Sequence, residues 1–152
     1  MRAYYDSPIG RITLESDGKY LTALRFDCTF AETEGDCNVF SQTKRWLDVY
    51  FSGRCPDFTP PLAPDGTQYR KAVWKALCEI PFGQTVTYTY IAEKVAAAQG
   101  KTSFSARAAG GAIGANPIAI IIPCHRVIGA DGSLTGFAYG IERKKYLLEL
   151  EK

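Results

Sequence analysis

The sequence predicts an α+β fold in which a small β-hairpin and helix domain, residues 1–62, precedes a mostly helical domain, residues 63–152. Apolar residues alternate on both sides of an Asp-Gly dipeptide, and later in the chain they recur at three- and four-residue steps. A stretch from 53 to 66 with four prolines and two glycines, typical of a linker, separates the two patterns. The 152 residues, 46% of them hydrophobic and 22% charged, suit a globular protein of one or two domains and exclude a disulfide-stapled miniprotein or a disordered chain.

The first domain begins with turns and short alternating segments. Residues 12–14 and 21–26 alternate on the two sides of Ser16-Asp17-Gly18-Lys19, which predicts a hairpin closed by an Asp-Gly turn. Pro8-Ile9-Gly10 predicts another turn before the hairpin. Between Asn38 and Phe51, apolar residues pair at four-residue steps, which predicts a helix. No residue pattern in this domain indicates chemistry.

The second domain is predicted to begin with an amphipathic helix from Gln68 to Ile80. The β-branched segment from Thr85 to Tyr88 predicts a short strand. An alanine-rich helix is predicted from Tyr90 to Ala98, and a helix of small residues from Ser103 to Gly114. Two short consecutive helices resemble a helix-turn-helix, although alanine and glycine on a helix more often indicate close packing against a neighbour.

Two further classes of protein do not fit the sequence. The longest apolar run, Ile118 to Ile122, lies between two prolines and is far shorter than the roughly 20 residues that cross a bilayer. The first six residues lack the hydrophobic core of a signal peptide. We therefore expect no membrane association and a cytoplasmic location.

Metal binding is not predicted. None of the five cysteines forms a C-x-x-C pair, and His125 is the only histidine. An odd number of cysteines without an export signal indicates reduced thiols. The formal charge is −2 for residues 1–62 and +4 for residues 63–152. This bias is modest, and it fits a polyanion partner about as well as a role in solubility.

The most informative feature is Cys124 beside His125, at the end of an apolar run that predicts a buried strand. A thiolate is a strong nucleophile near neutral pH, and a basic neighbour favours its formation. Adjacent side chains of an extended chain point to opposite faces, so the thiol and imidazole need a turn or a bridging water to communicate. The alternative is an inert buried cysteine beside a structural histidine.

The segment Pro123-Cys124-His125-Arg126-Val127, preceded by Asn116-Pro117, resembles the active-site signature of the O6-alkylguanine-DNA alkyltransferases. Other parts of that family's pattern are matched between about Tyr69 and Glu151, namely Gly83 to Tyr88, Arg107-Ala108-Ala109-Gly110-Gly111-Ala112, Gly132, Gly136-Phe137 and Arg143-Lys144 to Leu148. The resemblance implies a ribonuclease H-like first domain and a winged-helix-like DNA-binding and catalytic second domain. It implies repair of double-stranded DNA that carries O6-alkylguanine or O4-alkylthymine. We expect a monomer, because one cysteine acts on one base, and no cofactor, because the alkyl group comes from the DNA. We expect no metal, because the histidines that hold zinc in some relatives are absent here.

The resemblance also implies roles for residues near the thiol. Cys124 would accept the alkyl group in a single turnover, and His125 would deprotonate it through a water. Glu151 would orient the imidazole, with Glu149 as the rival carboxylate and a solvated terminal acid as the alternative. Asn116 would brace the turn before the active site, unless it is an ordinary helix-ending asparagine.

The DNA-facing residues follow in the same way. The resemblance implies that Arg107 fills the place of a nucleotide rotated out of the duplex, and that Tyr88 reaches the pocket. The helix carrying Ser105, Ala108 and Gly111 would enter the minor groove. A lone arginine or tyrosine is otherwise more often a surface or core residue.

The pocket for the alkylated base would involve Pro123, Val127, Ala138 and Tyr139. Tyr139 is bulkier than the family pattern there, and we expect it to narrow the pocket. The chain also carries about five extra residues near Ala98 to Thr102, which lengthen the turn between the two helices and bring Lys101 within possible reach of phosphate.

Three alternatives remain at this point. A non-catalytic alkyl-lesion-binding relative would lack the cysteine, whereas this chain has Cys124. A helix-turn-helix regulator would carry several long polar side chains on its recognition helix, whereas residues 103–114 offer only Arg107. A cysteine hydrolase would need an oxyanion hole and a directly bonded histidine.

Overall fold

The computed structural model of the chain describes residues 1–28, 35–134 and 136–152. Its elements, in chain order, are β1 Arg2–Ser7, β2 Gly10–Ser16, β3 Leu21–Phe26, α1 Asn38–Phe51, α2 Gln68–Cys78, β4 Val86–Thr87, α3 Tyr88–Ala98, α4 Ala106–Gly114, a 3-10 turn Cys124–Arg126, β5 Val127–Ile128 and α5 Ile141–Leu150. Strands β1, β2 and β3 form an antiparallel sheet in that order, and β4 pairs with β5 in parallel. This arrangement is the predicted α+β fold.

The hairpin between β2 and β3 forms at the predicted Asp-Gly turn. The backbone N–H groups of Lys19 and Tyr20 donate to the Asp17 carboxylate at 2.9 and 2.8 Å. Gly18 has a φ of +102°, a conformation that glycine adopts without the steric cost of a side chain. The sequence did not predict β1, which the Pro8-Ile9 turn joins to β2.

The outer edge of β3 is covered by two later segments of the chain. Leu21 exchanges backbone hydrogen bonds with Pro61 and Ala63 at 2.8 and 2.9 Å. The N–H of Leu24 donates to the carbonyl of Pro117 at 2.9 Å. The proline-rich segment is therefore held against the sheet at Leu21. The segment that begins at Pro117 and leads to Cys124 is hydrogen-bonded to the same strand at Leu24.

Three helices of the second half, α2, α3 and α4, pack against one another. Buried side chains join α2, α3 and α4, among them Val73, Ile91 and Ile113. The indole N–H of Trp74 donates to the carbonyl of Ala112 at 2.8 Å, which ties α2 to α4. The connection from α3 to α4 spans residues 99–105.

Three predictions about local structure are wrong in detail. The helix predicted from Ser103 begins at Ala106, because the Ser105 side chain caps it by accepting from the N–H of Ala108. Tyr88 is the first residue of α3 rather than the end of a strand, because Thr87 caps that helix. Helix α2 ends at Cys78, two residues before the predicted end at Ile80.

The predicted buried strand from Ile120 to Gly129 is also wrong over most of its length, because only Val127 and Ile128 lie in a strand. Ile118 forms a single β-bridge with Leu24, and residues 119–122 then turn, with the N–H of Ile122 donating back to the carbonyl of Ile118 at 3.2 Å. Ile120 has a φ of +69°, which no extended strand contains. The run is apolar because it is buried on all sides, and burial alone does not distinguish a strand from a turn.

Arg143 of α5 joins the second half of the chain to the first sheet. Its guanidinium donates to both carboxylate oxygens of Asp27, and its Nε donates to the carbonyl of Ile9 at 2.9 Å. The same group lies over the ring of Phe26, 4.7 Å from the ring centroid. Phe26 in turn packs edge-on against Tyr139.

Candidate active site

Asn116 fixes the loop that leads to Cys124. Its side-chain amide donates to the carbonyl of Ile122 at 2.8 Å, and its side-chain oxygen accepts from the N–H of Ile118 at 3.0 Å. The side chain is buried, so both hydrogen bonds are shielded from water. Asn116 thus closes the turn that places Cys124 at the start of a 3-10 helix.

The Cys124 thiol is partly buried and borders a small cavity. Burial raises the pKa of Cys124, whereas a hydrogen bond from the Asn116 side chain and the charge of Lys144 lower it, and the net direction is upward. The resting group is therefore a thiol, and a base must remove its proton before the sulfur can act as a nucleophile.

His125 is fully buried beside Cys124. Its Nε2 lies 2.6 Å from Oε2 of Glu151, and burial lowers the pKa of the imidazole in spite of that carboxylate. The neutral ring donates through Nε2 to Glu151, which leaves Nδ1 as the basic nitrogen. Nδ1 has no hydrogen-bond partner among the residues that the structure describes.

Glu151 is the residue around which the site is organised. Burial raises the pKa of its carboxyl, but hydrogen bonds from His125 and Arg126 outweigh burial and lower the pKa to about 2. The side chain is 1% exposed, which excludes a solvated terminal acid. The rival carboxylate, Glu149, lies on the surface and pairs with Lys152 at 2.8 Å.

Three partners of this carboxylate were not predicted from the sequence. Arg126 donates to both of its oxygens, with Nε 2.8 Å from Oε1, and also to the carbonyl of Ile80. The hydroxyl of Tyr50 donates to Oε2 at 2.5 Å. The backbone N–H of Gly83 donates to Oε1 at 3.2 Å. Arg126 could have been found as the third residue of the Cys-His-Arg segment, but Tyr50 lies in a helix that showed no chemical signal.

The cavity beside Cys124 has a volume of about 10 Å³, room for about one water molecule. It is lined by Ile113, Gly114, Asn116, Cys124, Gly136, Phe137, Ala138 and Tyr139. Ala138 and Tyr139 were predicted to line the pocket. Two other predicted pocket residues do not line this cavity, because Pro123 is buried in the loop and Val127 lies within β5.

Tyr88 lies at the edge of the same region. A Cβ atom at Gly136 would stand 2.5 Å from its hydroxyl, so this hydroxyl lies directly against a cavity-lining residue. Burial raises the pKa of Tyr88, and the nearby sulfur of Cys124 raises it further. The phenol therefore keeps its proton at neutral pH.

Helix α4 presents a smooth outer surface. Ser105, Arg107, Ala108 and Gly111 are exposed, whereas the opposite side of the helix, including Ala109, is buried. A Cβ at Gly111 would meet nothing within 4 Å. Arg107 is the one long cationic side chain on α4, and it stands beside small residues that allow close approach to the helix backbone.

The described ranges 1–28, 35–134 and 136–152 contain neither a cluster of metal ligands nor a membrane-spanning helix. No group of three or more His, Cys, Asp and Glu side chains there is placed to hold a metal ion. No helix in the same residues is both long and apolar enough to cross a membrane. All five cysteines are free thiols.

Two family models match the chain. The 6-O-methylguanine DNA methyltransferase ribonuclease-like domain matches residues 1–64, and the DNA binding domain of the same family matches residues 68–152. The chain belongs to the 6-O-methylguanine DNA methyltransferase family. The resemblance seen in the sequence is thereby confirmed.

Other 6-O-methylguanine DNA methyltransferases align over nearly the whole chain. A methylated-DNA–protein-cysteine methyltransferase of Methanosarcina barkeri is 48% identical, and the alignment covers 98% of this chain and 97% of the relative. A crystal structure of Mycobacterium tuberculosis OGT in complex with DNA superimposes with a TM-score of 0.85 at 47% identity, covering 98% of this chain and 91% of that one. A methyltransferase structure from Methanococcus jannaschii gives a TM-score of 0.70 at 27% identity, covering 99% and 92%.

Proposed function

We propose that this protein repairs alkylated DNA by moving the alkyl group from O6 of guanine to the sulfur of Cys124. The observation that carries the proposal is the thiol of Cys124, which borders a cavity and adjoins the buried His125. The Nε2 atom of His125 is hydrogen-bonded to Glu151. Methylated-DNA–protein-cysteine methyltransferase is the activity named for the relatives. Family membership, the fold and the cluster of Cys124, His125 and Glu151 all indicate a DNA-repair methyltransferase.

The chemical step is a displacement at a saturated carbon. The thiol proton passes through a bridging water to Nδ1 of His125, a basic nitrogen without a protein partner among the described residues. The sulfur forms a bond to the alkyl carbon while the bond from that carbon to O6 breaks. Guanine leaves with the electron pair and takes up one proton from solvent. Glu151 stabilises the imidazolium that forms.

The product is a thioether, which water does not cleave back to a thiol under cellular conditions. Each molecule is therefore expected to react once. O4-alkylthymine offers the same kind of saturated carbon on an oxygen and is included in the proposal. The alkyl group comes from the DNA, so the reaction requires no cofactor.

The surface of α4 supports delivery of the base. The stacked duplex shields O6, so the nucleotide has to rotate out before Cys124 can attack it. We assign Arg107 to the gap that the nucleotide leaves, because it is exposed on α4. We assign the exposed cap residue Ser105 and the exposed α4 residues Ala108 and Gly111 to close contact with the minor groove. Tyr88, against Gly136, would contact the flipped nucleotide.

Three further properties belong to the same proposal. One sulfur acts on one flipped base, so we propose a monomer. The division into domains at residue 62 stays a prediction. A reduced thiol is needed for the reaction, which supports a cytoplasmic location, and all five cysteines are free.

The test is an intact-mass measurement after mixing the protein with duplex DNA that contains one O6-methylguanine. We expect the mass of one methyl group to be added to each molecule, and peptide mapping to place it on Cys124. The matched control is the same duplex with unmodified guanine. A protein that binds the lesion but gains no mass would indicate a non-catalytic lesion-binding protein, and this result would contradict the proposal.

Pocket size gives a prediction about substrate range. Tyr139 lines the cavity, and its ring is held by Phe26 and Phe137 at centroid distances of 5.2 and 5.8 Å. We expect methyl adducts to react at least roughly 10-fold faster than benzyl adducts, and Tyr139→Ala to reduce this ratio, because removing the ring widens the pocket. Single-turnover rates on the two adducts measure the ratio.

The ratio is taken within one protein, so a general loss of stability affects both rates and largely cancels. Tyr146→Ala, an exposed tyrosine of α5, provides the control and should leave the ratio unchanged. Comparable rates of wild-type protein on methyl and benzyl adducts would show that Tyr139 does not narrow the pocket.

A further inference from the structure

We propose that Tyr50, on helix α1 of the first half of the chain, is a positioning residue that holds the Glu151 carboxylate against His125 and takes up part of its charge. This inference rests on the function proposed above. It gives the ribonuclease-like half of the chain a direct part in the alkyl transfer, beyond supporting the fold.

The Tyr50 hydroxyl lies between Glu151 and His125, and the two distances show to which of them it donates its proton. The oxygen lies 2.5 Å from Oε2 of Glu151 and 3.4 Å from Nε2 of His125. Burial and the charge of Glu151 raise the pKa of Tyr50, so the hydroxyl keeps its proton. A hydroxyl has one proton to donate, and the short contact shows that it goes to Glu151. The lone pairs of the Tyr50 oxygen remain available as acceptors for the Nε2–H of His125.

Nε2 of His125 therefore has two oxygen acceptors beside it, one on Glu151 and one on Tyr50. Both favour the tautomer with its proton on Nε2. That tautomer leaves the lone pair on Nδ1, which is the nitrogen that the proposed reaction requires as a base.

The ring of Tyr50 is fixed in place. It is fully buried, stacks on Trp46 at a centroid distance of 5.2 Å and meets Phe82 edge-on at 6.0 Å. A hydroxyl on such a ring has little freedom, so it restrains the carboxylate as well as binding it. Arg126 restrains the same carboxylate from another direction.

The charges around His125 determine how the loss of this hydroxyl would affect it. Glu151, at the end of α5, favours the imidazolium, whereas Arg126 in the 3-10 turn and Lys144 of α5 disfavour it. Cys124 precedes it in the same turn, and Tyr50 is the group that faces it from α1. Without the hydroxyl, the Glu151 charge is less neutralised, so the imidazolium becomes easier to form.

The experiment compares wild-type protein with Tyr50→Phe, which keeps the ring and removes the hydroxyl. The chain has one histidine, so 15N-histidine labelling gives signals from His125 alone. We expect His125 to titrate at least about half a pH unit higher in the variant, and the acid limb of the single-turnover rate profile to move with it. The maximal rate on O6-methylguanine DNA should fall about 10-fold, with the Kd for that DNA unchanged.

Tyr5→Phe is the matched control. Tyr5 also donates its hydroxyl to a carboxylate, Asp48, at 2.7 Å, on the surface of the same half of the chain. This variant should leave both the titration of His125 and the rate profile as in the wild type. A Tyr50→Phe protein with the wild-type titration and rate profile overturns the inference.

The spectrum of the wild-type protein keeps the inference testable even if Tyr50→Phe does not fold. We expect neutral His125 to carry its proton on Nε2, and a proton on Nδ1 overturns the inference. Failure of the inference is distinct from failure of the proposed function. If wild-type protein transfers the methyl group and Tyr50→Phe behaves identically, only the role of Tyr50 is lost, whereas a wild-type protein that transfers no methyl group removes the function itself.

Discussion

Replacing Cys124 by alanine is expected to abolish alkyl transfer completely. The substitution removes the sulfur that borders the cavity next to His125 while leaving the lining of that cavity otherwise intact. No other side chain in the cavity lining carries a thiol, so nothing can replace the nucleophile. Intact-mass measurement with O6-methylguanine DNA should show no added methyl group after an incubation that saturates the wild-type protein.

Binding of the lesion should persist in this variant. The α4 surface and Arg107 lie outside the substitution, so we expect the Kd for O6-methylguanine DNA to stay within a few-fold of the wild type. Cys55→Ala is the control, because this cysteine is an exposed thiol that does not line the cavity, and it should accept a full methyl group. Methyl transfer by Cys124→Ala would assign the nucleophile to another residue.

The sequence predicted the elements whose signals are local. The hairpin at Asp17-Gly18 follows from turn chemistry and helix α1 from the four-residue spacing of its apolar residues, and both appear in the structure. The family signature around Cys124 led to the correct family. These signals lie within a few residues of each other, so they need no knowledge of tertiary structure.

The errors arise where tertiary contacts decide the structure. Isoleucine-rich segments favour an extended strand, and the Ile118–Ile122 run would be predicted as one from propensity alone. In the structure, the Asn116 side chain forms hydrogen bonds to both ends of the run, which stabilises turns instead. Strand β1 carries two adjacent tyrosines, so its alternation is weak, and its six paired positions with β2 stabilise it instead.

The carboxylate partners were missed for a related reason. Tyr50 and Glu151 are 101 residues apart in the chain, and no sequence pattern connects them. Arg126 also donates to a backbone carbonyl, that of Ile80, and such acceptors leave no trace in the amino-acid sequence. The nucleophile could be predicted from the sequence, but the hydrogen bonds that position its base could not.

The buried carboxylate of Glu151 makes the stability of the protein sensitive to acid. Its pKa is lowered from 4.5 to about 2 in the folded chain, so the unfolded chain takes up a proton first as the pH falls. The stabilisation is therefore complete above about pH 4.5 and is lost between pH 4.5 and 2. It amounts to about 3 kcal/mol.

Glu151→Gln should remove this acid dependence and lower the free energy of unfolding at pH 7 by about 3–5 kcal/mol. The amide can accept through only one oxygen, and its NH2 group faces N–H donors in either orientation: those of Arg126 and His125 at the Oε2 position, or those of Arg126 and Gly83 at the Oε1 position. The Arg126 guanidinium is also left buried without a counter-charge. Urea denaturation at pH 7 and at about pH 2.5, near the lower end of the range in which the wild type loses this stabilisation, measures both effects.

Glu149→Gln is the control for this variant. Glu149 lies two positions before Glu151 in the chain, but it is a surface carboxylate that pairs with Lys152. It should leave the stability at pH 7 close to that of the wild type, since exposed ion pairs contribute little. We also expect Glu151→Gln to slow methyl transfer at pH 7, because His125 loses the carboxylate that orients it. Equal stability and equal rates in the two variants would mean that the carboxylate neither holds the fold together nor positions the base.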